Sequence, residues 1–224
     1  MREEMKKRAG EYAAKYIKDG QVVGLGTGST VKYTILELGR MVKEGIDIIG
    51  IPTSKATGQL AESVGIKLGS IDEYPEIDIT VDGADEVDPN LNLIKGGGGA
   101  LLREKIVAHA SKYEVIVVDE SKVKKVLGEF PLPIEIVRFG YRRTMNVLSS
   151  LGCGPSLRMQ DKTPFITDNG NYIVDCKFNR IENPKILEEK IDKIPGVVEI
   201  GLFIDMANEV VVGKKEEVEI MRRP

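Results

Sequence analysis

Four consecutive glycines, Gly96 to Gly99, lie near the middle of a chain of 224 residues. Each glycine loses more conformational freedom on folding than any other residue, so keeping four together makes sense where the backbone must come close to something. The flanks narrow what that can be. The run TVDGADEVDPNLNLIKGGGGALLREK, residues 80–105, puts Asp82, Asp85, Glu86 and Asp88 before the glycines and Lys95 directly against them. Arg103, Glu104 and Lys105 follow on a helix-like segment. Any fold for this chain has to gather that charge and that bare backbone in one place.

Periodicity supplies the frame. Met5, Ala9, Tyr12, Ala13, Tyr16 and Ile17 recur at helical spacing over 3–18. Short apolar stretches at 22–25, 47–51, 66–68, 77–81 and 115–118 then alternate with helical patterns at about 30–42, 54–64 and 100–111. That order predicts a doubly wound, mostly parallel α/β domain, whose ligands meet the carboxyl ends of the strands. Gly26–Thr30 and Asp82–Asp85 both follow strands, so they belong on one sheet edge. After Phe130-Pro131-Leu132-Pro133 the pattern becomes β-α-β-β-α-β: strands at 134–138, 156–159, 172–178 and 197–204, and helices at 141–151 and 184–193. Asp168-Asn169-Gly170 marks a hairpin turn within it. This is the split pattern of a smaller ferredoxin-like α+β domain. A strand at 209–212 is free to return to the first domain. The expected division is 1–130 with 206–224, and 131–205.

Composition excludes several classes. The formal charge is −3, which argues against a strongly basic nucleic-acid surface. The N-terminal stretch mixes acids and bases and does not read as a signal peptide, and no run is long and apolar enough for a membrane span. Cys153 and Cys176 have no metal-type spacing, so a reduced, cytoplasmic setting is expected.

The motifs carry the chemistry. Gly26-Thr27-Gly28-Ser29-Thr30 at a helix start is either an anion site or a plain Ser/Thr cap after a tight turn. The G-x-G-x-G spacing does not fit a dinucleotide fingerprint, and no Walker P-loop occurs. Asp82 and Asp85 around Gly83 and Ala84 can divide acid and base roles or hold sugar hydroxyls. Metal binding is the weaker alternative for them, while Glu86 and Asp88 read as solvated. Lys95 beside Gly96, Gly97 and Gly98 offers a cation and backbone donors to an oxyanion. Glu104 serves as a general base if its site is covered, and is an ordinary helix-face glutamate if not. His109 takes no role. Lys122 is either a phosphate partner or, with Lys124 and Lys125, part of a solvated face. One histidine and two scattered cysteines support no Ser–His or Cys–His nucleophile, which leaves carboxylate acid–base chemistry.

Taken in order, GTGST, VDGADE, IKGGGGALLREK, DESK, FPLPIE, TDNGN and IPGVVEIGLF resemble the A-type ribose-5-phosphate isomerase family over about residues 24–203. The resemblance implies interconversion of D-ribose 5-phosphate and D-ribulose 5-phosphate through an enediolate, in the non-oxidative pentose phosphate pathway, without cofactor or metal. It implies Glu104 as the base moving a proton between C1 and C2. It assigns Asp82 and Asp85 to hydroxyl binding and ring opening, and Lys95 with the glycine loop to the oxyanion. Thr27, Gly28, Ser29, Thr30 and Lys122 become the phosphate site, with Lys6 or Lys7 as a looser addition. A homodimer or homotetramer acting on a small phosphosugar is the family pattern. A non-catalytic sugar-phosphate sensor and an aminosugar-phosphate isomerase/deaminase are the alternatives. The first does not need Glu104, and the second would recruit a placed histidine.

Overall fold

The computed structural model describes residues 1–223. The chain opens with α1 (Arg2–Ala13) and a 3-10 turn (Ala14–Tyr16). Next come β1 (Val22–Leu25), α2 (Val31–Lys43), β2 (Ile49–Pro52), α3 (Lys55–Ser63), β3 (Lys67–Leu68) and β4 (Ile79–Gly83). Two short strands, β5 (Glu86–Val87) and β6 (Leu93–Ile94), precede α4 (Leu101–His109) and β7 (Glu114–Asp119). The second half holds β8 (Leu132–Ile136), α5 (Tyr141–Ser149), β9 (Gly154–Leu157), β10 (Met159–Gln160), β11 (Thr163–Pro164), β12 (Tyr172–Lys177) and α6 (Pro184–Asp192). It continues with β13 (Val197–Ile200), β14 (Leu202–Phe203), β15 (Glu209–Gly213) and β16 (Val218–Arg222).

Seven strands form the main sheet in the order β16-β15-β7-β4-β1-β2-β3. Every neighbouring pair is parallel except β15–β16. The interior strand β7, Glu-Val-Ile-Val-Val-Asp, is buried at all six positions, as a strand covered on both faces should be. One face packs Val115 and Val117 against α1 and α2 residues such as Ala9, Ala13, Ile35 and Leu38. The other packs Ile116 and Val118 with Ala108 of α4 and Phe203.

A second sheet, β13-β8-β12-β9, is antiparallel throughout. Its strands and helices follow in chain order β8-α5-β9-β12-α6-β13, with the β10–β11 hairpin inserted before β12. Its own core gathers Leu132, Ile134, Ile136, Leu148, Val174 and Ile191.

Several details differ from expectation. The strand expected from 134 begins at Leu132, inside the Phe-Pro-Leu-Pro segment. The single strand expected at 197–204 divides at Gly201: β13 stays in the second sheet, while β14 leaves it to pair with β6 in a three-stranded sheet, β14-β6-β5. Gly201 has a steric reason to be glycine, since a Cβ there would fall 2.4 Å from the Lys95 carbonyl. β16, absent from the expected elements, covers β15 at the edge of the main sheet.

Glu86 and Asp88, expected to face water, are buried instead. Glu86 accepts hydrogen bonds from the Gly128 amide (2.7 Å) and the Phe130 amide (2.6 Å). Asp88 accepts from the amides of Asn90 and Asn92, both at 2.9 Å, which closes the β5–β6 turn. Both are structural carboxylates: each trades water for backbone donors that would otherwise lack partners.

Candidate active site

The parallel strands β1, β4 and β7 end on one edge of the main sheet, and the loops that follow them surround a cavity of about 210 Å³. It is lined by Thr27, Gly28, Ser29 and Thr30 after β1, and by Gly83, Ala84 and Asp85 from the end of β4 onward. Lys95, Gly96, Gly97 and Gly98 line it after β6, Glu104 from the first turn of α4, and Lys122 from the 3-10 turn after β7. Residues almost a hundred positions apart thus meet because parallel topology delivers successive strand ends to the same edge.

The loop after β1 is built to leave donors free. Thr30 precedes α2 without any side-chain cap, so the plain capping role is not used. Thr27 Oγ1 is held in a hydroxyl cluster with Thr53 (2.7 Å), Ser54 (2.8 Å) and Thr57 (2.9 Å). Gly26 turns the chain against β4, where an added Cβ would lie 2.1 Å from Asp82 Oδ1. The unpaired amides at the start of α2 and its dipole favour an anion here.

Asp82 stands behind the cavity wall rather than on it. It is fully buried, and Oδ1 accepts from the Thr27 amide (3.0 Å) and the Gly83 amide (2.6 Å). Its role in this arrangement is to fix the first loop and to face Lys95, whose Nζ lies 2.9 Å from Asp82 Oδ2. The same ammonium lies 3.5 Å from Glu104 Oε2, donates to the Gly83 carbonyl at 2.5 Å, and sits 5.3 Å from the centre of the Phe203 ring. Asp85, one turn further along, does line the cavity, and its Oδ2 accepts from the Gly97 amide at 2.7 Å.

The electrostatics follow from burial. Burial opposes the charge on Lys95, but Asp82 and Glu104 beside it hold its pKa above the usual lysine value. Glu104 is 2 % exposed, and burial pushes its carboxyl up to about 8 against the pull of Lys95. Burial raises Asp82 as well, opposed by Lys95 and the two amides. Neither Asp82 Oδ2 nor Glu104 Oε2 receives an aligned hydrogen bond, so these are ion pairs by distance only. When the cluster binds one proton, it rests on Glu104, because Asp82 has two amide donors stabilising its ionised form. Glu104 is therefore a carboxyl poised to exchange a proton near neutrality.

The glycine loop is gripped from both sides. Gly99 has φ +82°, and a Cβ there would fall 2.5 Å from the Phe165 ring. From the second sheet, Arg158 Nη1 donates to the carbonyls of Gly96 (2.8 Å) and Gly97 (3.2 Å). Sequence reasoning missed Arg158, the Thr53 and Thr57 hydroxyls, and Glu114, a buried glutamate with both carboxyl oxygens unpartnered. The site partners of Thr53, Thr57 and Arg158 lie 26 to 62 positions away, beyond any local pattern, and Glu114 makes no side-chain hydrogen bond. The N-terminal lysines point elsewhere: Lys6 pairs with Glu3 (2.8 Å), Lys7 with Glu11 (3.7 Å), and neither lines the cavity. Lys124 pairs with Glu129. His109 ends α4 exposed. Among the described residues no three His, Cys, Asp or Glu side chains cluster to hold a metal ion, and no helix is long and apolar enough to cross a membrane.

Known proteins are similar to this chain in sequence and in fold. Residues 49–217 match the family model described as ribose 5-phosphate isomerase A (phosphoriboisomerase A). A ribose-5-phosphate isomerase A of Oceanobacillus iheyensis is 52% identical over 219 residues, covering 97% of this chain and 98% of the relative. One from Streptococcus agalactiae is 51% identical over 222 residues, covering 99% and 100%. Among solved structures, a D-ribose-5-phosphate isomerase in complex with phospho-erythronic acid superposes with a TM-score of 0.97 at 45% identity, covering both chains fully. The ribose 5-phosphate isomerase A of Methanocaldococcus jannaschii gives 0.94 at 44% identity, covering 99% of each chain.

Proposed function

The chain belongs to the ribose 5-phosphate isomerase A family, and from that premise we propose that it interconverts D-ribose 5-phosphate and D-ribulose 5-phosphate, with Glu104 carrying the proton. The observation that carries the reading is the pairing of Glu104 with Lys95 on a cavity that the loop after β1, with its free amides at a helix start, also lines. The phosphate sits on Ser29, Thr30 and the amides at the start of α2, with Lys122 as its cation. Binding energy from that distant group orients the reacting carbons.

Ionised Glu104 removes the proton from C2 of the open-chain aldose. The C–H electron pair becomes the C1=C2 bond, and the carbonyl pair moves onto O1. Lys95 and the glycine-loop amides stabilise that oxyanion. A proton passes from O2 to O1, and Glu104 returns its proton to C1, giving the ketose. Asp85, on the wall, meets substrate hydroxyls and assists ring opening, while Asp82 acts from behind by holding Lys95. Phospho-erythronic acid in a relative supports this, because a carboxylate on a phosphorylated polyol has the charge of the enediolate.

The β8-α5-β9-β12-α6-β13 unit, with strand order β13-β8-β12-β9, supports a ferredoxin-like second domain over 131–205 beside an α/β domain of 1–130 with 206–224. The working form is a homodimer or homotetramer in the cytoplasm. Assay of the purified chain with ribose 5-phosphate tests the reading. Ser29→Ala with Thr30→Ala should raise KM about tenfold or more while kcat falls less, since one lost charge-assisted hydrogen bond is worth about 1.5–3 kcal/mol. An unchanged KM moves the phosphate elsewhere.

A further inference from the structure

Arg158 belongs to the second sheet's half of the chain, yet its guanidinium reaches the catalytic loop. Its backbone is fixed first: the Arg158 amide donates to Ile173 (2.8 Å), and its carbonyl accepts from Phe165 (2.9 Å). Asp175 on β12 then takes the guanidinium in a two-pronged pair, Nε to Oδ2 at 2.9 Å and Nη2 to Oδ1 at 2.5 Å. The side chain is 15 % exposed, and the Phe165 ring lies 6.0 Å from its carbon. Only Nη1 is left to point outward, and it meets the Gly96 and Gly97 carbonyls. A planar fork held this way on one side presents its remaining donor in one direction.

The consequence is geometric. In a trans peptide the carbonyl and the following amide point in opposite directions. With the Gly96 carbonyl turned to Arg158, the Gly97 amide must point away from it, and that amide meets Asp85 on the cavity wall at 2.7 Å. With the Gly97 carbonyl also turned to Arg158, the Gly98 amide is driven to the same side. Gly98 lines the cavity, and among the described residues its amide finds no protein acceptor. An unpaired amide on the cavity that Lys95 also lines is what a developing oxyanion needs.

We propose that Arg158, anchored by Asp175, is a positioning residue that sets the Gly96–Gly98 peptides so that the Gly98 amide faces the reacting oxygen. It touches no substrate atom itself, and it makes the second sheet a working part of the active site. This rests on the isomerase reading above, so the parent chain is assayed alongside every variant. Arg158→Ala should lower kcat about 10- to 100-fold, less than the loss of a direct oxyanion donor, with KM changed no more than about threefold. Millimolar guanidinium should restore part of the kcat in Arg158→Ala and none in Glu104→Gln. A parent-like kcat, a loss carried by KM, or a kcat loss that guanidinium leaves untouched overturns the proposal. If Arg158→Ala folds poorly, Asp175→Asn keeps the guanidinium but loosens its anchor. It should show the same kcat-selective loss, and a parent-like kcat there overturns the proposal equally. An inactive parent chain would refute the isomerase reading instead.

Discussion

Lys95 stands between two carboxylates that differ in what else they touch. Asp82 accepts from two amides, whereas Glu104 opens onto the cavity with only the ammonium near its inner oxygen. Glu104→Gln therefore removes the proposed base without emptying the space it fills. Steady-state assay should show kcat reduced roughly 10²–10⁴-fold at nearly unchanged KM. With its carboxyl up at about 8, the ionised fraction of Glu104 grows as pH rises past neutrality. The free enzyme's kcat/KM should accordingly climb through pH 7 and level above about 8; a profile flat from pH 5 upward would contradict the assignment. Glu114 gives a separate stability prediction. Burial first, and Asp82 second, push its carboxyl up to about 7 against the pull of Lys95. A carboxyl raised in the folded state binds more protons there than in the unfolded chain, so stability falls as pH rises from about 4.5 to about 7. Fully developed, that loss is on the order of 3 kcal/mol. Glu114→Gln should raise the Tm at pH 8 clearly more than at pH 4.5, measured by calorimetry at both values.

At the scale of elements, legibility tracks how local the determining contacts are. The loop after β1 and the Asp82–Asp85 turn after β4 each follow their strand directly, so their place on one edge could be read from strand–helix alternation. The inward turn of Asp82 could not, because it depends on Lys95 arriving from β6 behind it. Glu86 was misread for a similar reason, its donors lying 42 and 44 positions away, while Asp88 is buried by a local turn between strands too short to announce themselves. Their donors, Gly128 with Phe130 and Asn90 with Asn92, convert what looked like a solvated acidic run into a buried brace. The two-residue strands β5, β6 and β14 are too short to show any period. Glu86→Ala should strand the buried Gly128 amide and the partly buried Phe130 amide and lower unfolding free energy by about 2–4 kcal/mol in chemical denaturation. A change within about 0.5 kcal/mol would return Glu86 to the solvated surface.

Across the whole molecule, segments flanking the second sheet's strands hold loops and helices of the first half. Arg158 holds the glycine loop, Asp168 accepts from the Lys55 amide at 2.8 Å, and Arg103 of α4 donates to Asn169 at 2.8 Å. The Asp168-Asn169-Gly170 turn, legible as a turn, is thus also a clasp on α3 and α4, and that partner choice has no local sequence signal. Phe139 is 94 % exposed on the same half of the chain, a large apolar side chain without cover. For the proposed homo-oligomer, Phe139→Ser should shift sedimentation toward the monomer; an unchanged distribution would place the proposed subunit contact on another face. The central claim is that one carboxylate, Glu104, carries the proton between C1 and C2. It is tested most directly in deuterated water with ribose 5-phosphate, following solvent deuterium at C2 of the aldose and C1 of the ketose by NMR. The parent chain should exchange at both carbons, and Glu104→Gln should slow exchange at both by at least about 10²-fold. Exchange at the parent rate in Glu104→Gln would contradict the account.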